Sequence, residues 1–413
     1  MSIGTSPPTV HGIGRFPRDG DGWQLLGGAP SFGVTSSGSP ATVSRDLRVS
    51  GSVTIYRLFD VGYAIALDRA ADLLGAAIQG RVRPSRLEAK AIEIRNPPLF
   101  AALGSFEVAV GDATCRATVS AHLYDFGVCS LYVRVAAPPE MSWSGFVDFT
   151  AGVDGSPALP AVFSRELGQL IDRIRPAIER AATAPLSEEY KICRIDRIAG
   201  DGATRVVSEL LTDDQLVALL LGERQGLSPS ARRELVPHRF SYFQDDLTVL
   251  TWDAALVVEP RADDRDVEIV LEFANAQLLE LRMFDQQLDA ELPALYDRVE
   301  VARTRRRPRL AGRFRALLSD LQTRVADITE IVERVENSLK VVNDVYLARI
   351  YSATLELFRE QAWRRGIERK LGILRETYTM LNAEAQSARA ELLEVIIVLL
   401  IVAELFLALV HGR

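Results

Sequence analysis

The sequence predicts an α+β head, a long helical arm and one C-terminal membrane helix. Three observations predict it. Between residues 51 and 265, short β-rich runs bounded by Gly, Pro and Asp alternate with short helical segments. From Asp266 the apolar spacing changes to threes and fours and stays there. Residues 392–410 then form a 19-residue run of which 17 are apolar.

Composition narrows the function classes. The chain has 413 residues, room for two or three domains, and a formal net charge of −7 that argues against DNA as a partner. Arginine supplies 44 of the 48 basic residues, a bias typical of a GC-rich genome. The three cysteines, Cys115, Cys129 and Cys193, show neither a C-x-x-C nor a disulfide pattern, which suits a reducing compartment. No charged-then-apolar leader opens the chain.

Residues 1–50 hold nine Gly, eight Ser and five Pro, too little apolar surface to offset the entropy of ordering, and read as a disordered tail. Strands follow at 53–59 and 63–67, a helix over 70–78 capped by Asp68, and a strand over 91–95. Residues 117–124 and 128–135 flank Asp125-Phe-Gly127 and read as a hairpin. A Pro/Gly-rich stretch over 138–160 leads into a helix over 163–181.

A second round begins with a strand over 190–195, a turn at 200–202, a helix over 213–221 capped by Thr212, and a short helix over 231–235. Residues 239–243 and 247–258 then form another hairpin around 244–246, with Trp252 assigned to the core. Superposing the two hairpins suggests a duplicated β-α-β-β-α unit, with halves at about 51–181 and 189–265.

Residues 266–391 read as a three-helix coiled-coil stalk. The first helix carries Leu271, Ala274, Leu278 and Leu281, and Pro293 should kink it. The second carries Leu318, Leu321, Val325, Ile328, Val332, Val335, Leu339 and Val342. The third starts after Asn343-Asp344 and carries Trp363, Ile367, Leu371, Leu374, Tyr378 and Leu381 straight into the apolar run. Such seams favour self-association.

As a helix, residues 392–410 would rise about 28 Å, close to the hydrocarbon thickness of a bilayer. Glu394 and Glu404 interrupt the run and are candidate contacts to lipid headgroups or between anchors of an oligomer. In an up-down-up bundle, the tip between the first two helices lies beside the anchor. That tip holds Arg303, Arg305, Arg306, Arg307 and Arg309, a candidate loop for anionic headgroups. Upstream arginines place the head in the cytoplasm, at a bacterial inner membrane.

Motifs for chemistry are missing. There is no Walker loop and no G-x-G-x-x-G after a strand. His122 lies near Asp125, but a hairpin histidine with a turn aspartate reads as structural. Asp245-Asp246 and Asp263-Asp264 read as turn and cap residues rather than metal ligands. No catalytic, cofactor or metal residue is assigned.

Residues 240–410 resemble the "required for meiotic nuclear division" (RMD) family, a domain of unknown function. The resemblance rests on Tyr242-Phe-Gln-Asp-Asp-Leu-Thr-Val-Leu-Thr-Trp252, Phe273-Ala-Asn-Ala-Gln-Leu-Leu279, Asn343-Asp-Val-Tyr-Leu-Ala-Arg-Ile-Tyr351 with Trp363, and the closing Leu-Glu-aliphatic run with Glu394 and Glu404. It implies a membrane-anchored, oligomeric protein without catalytic activity. The sequence therefore predicts a tail-anchored scaffold bound to lipid, to copies of itself and to an unidentified protein. A ligand- or nucleotide-binding sensor, or a subunit of an oligomeric ion pathway, is the alternative.

Overall fold

A computed structural model describes residues 47–82, 92–199, 206–236, 238–261, 263–304, 319, 322–323, 325–330, 332–334, 339–341 and 345–411. The glycine- and serine-rich tail to residue 46, the turn at 200–202, the Asn343-Asp344 break and Arg305, Arg306, Arg307 and Arg309 lie outside them.

The fold is mixed α+β: one large sheet with helices on both faces and a helical C-terminal third. Its first half supplies strands β1 (Arg48–Asp60), β2 (Gly62–Ile65), β3 (Ile78–Arg81), β4 (Ile92–Ile94), β5 (Leu99–Val110), β6 (Ala113–Leu123), β7 (Val128–Ala136) and β8 (Met141–Ser142). Helices α1 (Leu67–Leu74), α2 (Trp143–Asp154) and α3 (Ala158–Ile174) intervene. The second half supplies β9 (Ile178–Ala181), β10 (Ser187–Ala199), helices α4 (Val207–Leu210), α5 (Asp213–Leu221) and α6 (Pro229–Leu235), then β11 (His238–Phe240), β12 (Leu247–Leu250) and β13 (Ala254–Val258). The ten-stranded sheet runs β11-β12-β13-β10-β1-β7-β6-β5-β3, with β8 beside the end of β1.

β1 shows why the sheet is covered on both faces. Val53, Ile55 and Phe59 enter a core with α1, α2, α3 and α5, whereas Tyr56 and Leu58 enter a second core on the opposite face. That second face is covered by α7 (Asp266–Thr304), α8 (Val345–Leu357) and the first half of α9 (Glu360–His411). The boundary drawn at residue 265 thus falls between the sheet and the helix that closes its core.

Several elements follow local chemistry closely. Thr212 caps α5 and, with Gln215, completes a capping box. The hairpin β6–β7 turns at Gly127, whose φ of +96° suits glycine, and a Cβ there would meet the Gly62 carbonyl at 1.7 Å. Other elements depart from expectation. Asp68 does not cap α1; it lies inside the first turn and accepts from Arg81 at 2.6 Å. The stretch 138–160 contains α2, which Ser142 caps through the Gly145 N–H. Residues 247–258 are not one strand. Thr251 Oγ1 accepts from the Ala254 N–H at 3.1 Å and folds the chain back, so Trp252 sits at a turn tip, 49% exposed rather than in the core.

The proposed duplication is not reproduced in the sheet: β7 runs antiparallel to β1, but β13 runs parallel to β10. The coiled-coil stalk is also not reproduced as drawn. Leu339 belongs to a strand, β14 (Leu339–Val341), paired with β4, because Leu339-Lys-Val341 alternates and finds an open strand edge. The third helix divides at Phe358–Arg359, where Arg359 adopts φ +53°. α7 itself passes through Pro293 without ending. Ile367, Leu371, Leu374 and Leu381 of α9 are buried with α7, as their spacing predicts.

Among the described residues, no helix is long and apolar enough to cross a membrane. The uninterrupted stretch of described side chains at the apolar end runs only from residue 393 to 404 and includes both glutamates. Its apolar side chains are exposed all round, with Leu400 at 63%.

Candidate functional site

The sequence-predicted residues do not converge. Glu394 and Glu404 are both exposed near the C-terminal end of α9. Arg303 lies in the last turn of α7, and its side chain and the other four arginines are outside the described residues. The structure instead concentrates polar groups between the sheet and α7.

α7 brings Glu268, Glu272 and Glu280 to that interface. Spacings of four and eight put them on one ridge with Ala276, and all three are buried. The sheet answers with a cross-strand row. Register aligns Ser120, Tyr132, Tyr56 and Tyr190 on four neighbouring strands, and Arg134 lies opposite Thr54 one step along.

Arg194 anchors one end. It is 1% exposed, yet its guanidinium is fully used: Nη1 donates to the Asp264 carbonyl at 2.9 Å and Glu268 at 3.1 Å. Nη2 donates to the carbonyls of Glu259 and Arg261 at 3.2 and 3.0 Å, and Nε to Asp196 at 2.6 Å. Arg134 and Arg265 also reach Glu268, at 3.0 and 2.6 Å. The cluster fixes the chain between β13 and α7, and so sets where α7 lands on the sheet.

His122 occupies the middle. Its Nδ1 lies 2.8 Å from Glu272, and its ring sits between Phe100 and Tyr132. It does not pair with Asp125, which accepts from Asn96 at 3.0 Å. Burial, with the charge of Glu272 adding to it, pushes the Tyr124 hydroxyl well above the usual phenol range. Burial, with Glu268 and Glu272 adding to it, pushes the Tyr56 hydroxyl well above the usual phenol range. Ser130 faces His122 in register, but its buried Oγ has no hydrogen-bond partner, so the histidine and serine are not linked for nucleophilic catalysis. This arrangement orients the imidazole between Glu272 and two aromatic rings. No group of three or more His, Cys, Asp or Glu among the described residues could hold a metal.

Glu280 forms the far end. It is 1% exposed and its Oε1 has no hydrogen-bond partner. Burial, then the charge of Asp60, pushes its carboxyl well above the usual range, against the pull of Arg334. Burial raises Asp60 to about 6, opposed by the Gly62 N–H.

The comparisons locate the head. Residues 50–264 match the family described as "Uncharacterized protein MJ0711, N-terminal domain". The chain belongs to this family. Uncharacterized protein MJ0711 of Methanocaldococcus jannaschii is 26% identical over 196 residues, which cover 47% of this chain and 58% of the relative. The chain thus spans little over half of that relative. No solved structure matches. The family match falls on the half in which the sequence offered no motif, and the RMD resemblance of residues 240–410 is not among these matches.

The buried seam had a readable signal. In residues 266–281 three glutamates recur inside a largely apolar helix, and Arg194 stands alone among Ile192, Cys193 and Ile195. Lone charges in apolar runs mark buried pairs.

Proposed function

We propose that the chain is a non-enzymatic, membrane-anchored scaffold whose α9 end enters lipid and whose head domain is held in the cytoplasm. The observation carrying this reading is the free end of α9, where residues 395–402 are apolar and exposed on every face. A partner helix would cover one stripe of such a surface, but lipid covers all of it. The longer run in the sequence, 392–410, supplies about 28 Å of apolar helix. The RMD resemblance supports the same reading and adds self-association, with Glu394 and Glu404 as contacts between anchors and the arginines around 303–309 at the headgroups.

Vesicle flotation tests it. The full chain should float with phosphatidylcholine–phosphatidylglycerol vesicles and resist extraction by carbonate. The chain ended after Ala390 should stay at the bottom. Equal behaviour of the two chains rejects the anchor. Light scattering in detergent then reports whether the extracted protein is oligomeric; a monomer rejects self-association.

A further inference from the structure

A second feature lies where the sheet meets the helical arm. The β12–β13 turn, α7 and the junction of α8 with α9 enclose a cleft of about 650 Å³, within the range of small-molecule sites. Two indoles line it. Trp252 projects from the turn tip, its ring edge-on to Phe358 at 5.8 Å, and Trp363 stands on the first turns of α9. Three cations line it too, but they are not equivalent. Lys370 is committed to Asp285 and Asp289, at 2.6 Å each. Arg359 and Arg369 are exposed, and neither has a salt bridge among the described residues.

The backbone singles out Arg359. It holds φ +53° although it is not glycine, a left-handed conformation that L side chains rarely adopt. Its carbonyl accepts from the N–H groups of Ala362 and Trp363 at 2.9 and 3.3 Å, so the strained residue is the hinge on which α9 starts. The floor is built small. A Cβ added to Gly366 would come within 3.2 Å of Asp285 Oδ1, the carboxylate that holds Lys370.

We propose that this cleft binds a purine nucleotide, with the base against Trp252 and Trp363 and the phosphate on Arg359 and Arg369. Two indoles offer flat apolar faces on which a base can stack. Two exposed guanidiniums, with no salt bridge among the described residues, supply donor forks suited to a phosphate. The site joins the sheet to both arm helices, so occupancy would fix the α8–α9 angle. The proposal does not depend on the membrane anchor.

The test is titration of the full chain in detergent with AMP, followed by tryptophan fluorescence and calorimetry. AMP should bind saturably. Arg359→Gly removes the guanidinium where glycine relieves strain, so this variant should stay folded yet bind at least tenfold more weakly. Trp252→Phe should reduce the fluorescence change, with Trp363 reporting the remainder. Adenosine and inorganic phosphate should each bind at least tenfold more weakly than AMP. No saturable AMP binding, or unchanged affinity in a folded Arg359→Gly variant, overturns the site. Phosphate binding as tightly as AMP overturns the stacking role, and adenosine doing so overturns the role of the arginines.

Discussion

Replacing Asp60 by Asn isolates the cost of a buried carboxylate. Asp60 ends β1, is buried, and accepts from the Gly62 N–H at 3.3 Å. Burial raises its pKa from 3.8 to about 6. The folded state therefore binds the proton more tightly than the unfolded chain. Stability from this group is fully present below about 4, falls as pH rises toward 6, and is lost above it. A shift of about two units corresponds to roughly 3 kcal/mol. Asn keeps an acceptor for Gly62 and carries no charge, so Asp60→Asn should stabilise the fold by up to about 3 kcal/mol at pH 8 and by little at pH 4. Urea unfolding in detergent at the two pH values measures this, provided the slopes agree. Equal stabilisation at both pH values, or none at pH 8, would refute the reasoning.

Glu280→Gln should act in the same direction, with its gain growing as pH rises, because burial and the charge of Asp60 push its carboxyl well above the usual range; urea midpoints at pH 5 and pH 8 check it. Arg194→Met should destabilise by about 3–5 kcal/mol, since it strips three backbone carbonyls and two carboxylates of a buried donor; urea midpoints would show it, and a change under 1 kcal/mol would contradict the anchoring role. Gly127→Ala should cost about 3 kcal/mol or more, because its Cβ collides with the Gly62 carbonyl at a positive φ; thermal melting checks it. Thr212→Ala should cost about 1 kcal/mol through loss of the α5 capping box.

What the sequence revealed depended on how local the signal was. The Thr212 cap, the Gly127 hairpin and the heptad residues Ile367, Leu371 and Leu374 are set by neighbours within one or two turns, and each appears as expected. Leu99–Val110 is assigned no element from the sequence and Trp143–Asp154 falls in the Pro/Gly-rich stretch, because long-range pairing and burial decide both. Leu339–Val341 reads as a helical seam yet pairs with Ile92–Ile94, about 250 residues earlier in sequence. Spacing could also not show that His122 meets Glu272, 150 residues away, instead of Asp125, three residues away. The buried glutamates of α7 were visible as charges in an apolar helix; their partners on β6, β7 and β10 were not.

The proposed insertion of the α9 end into lipid can be tested at one position. A fluorophore on Leu399→Cys, with Cys115, the one cysteine that is not buried, changed to Ser, reports what surrounds residue 399. In vesicles, its emission should be quenched by nitroxides on the acyl chains and protected from aqueous iodide. Quenching by iodide alone, or protection from both quenchers by a covering protein surface, would contradict the account.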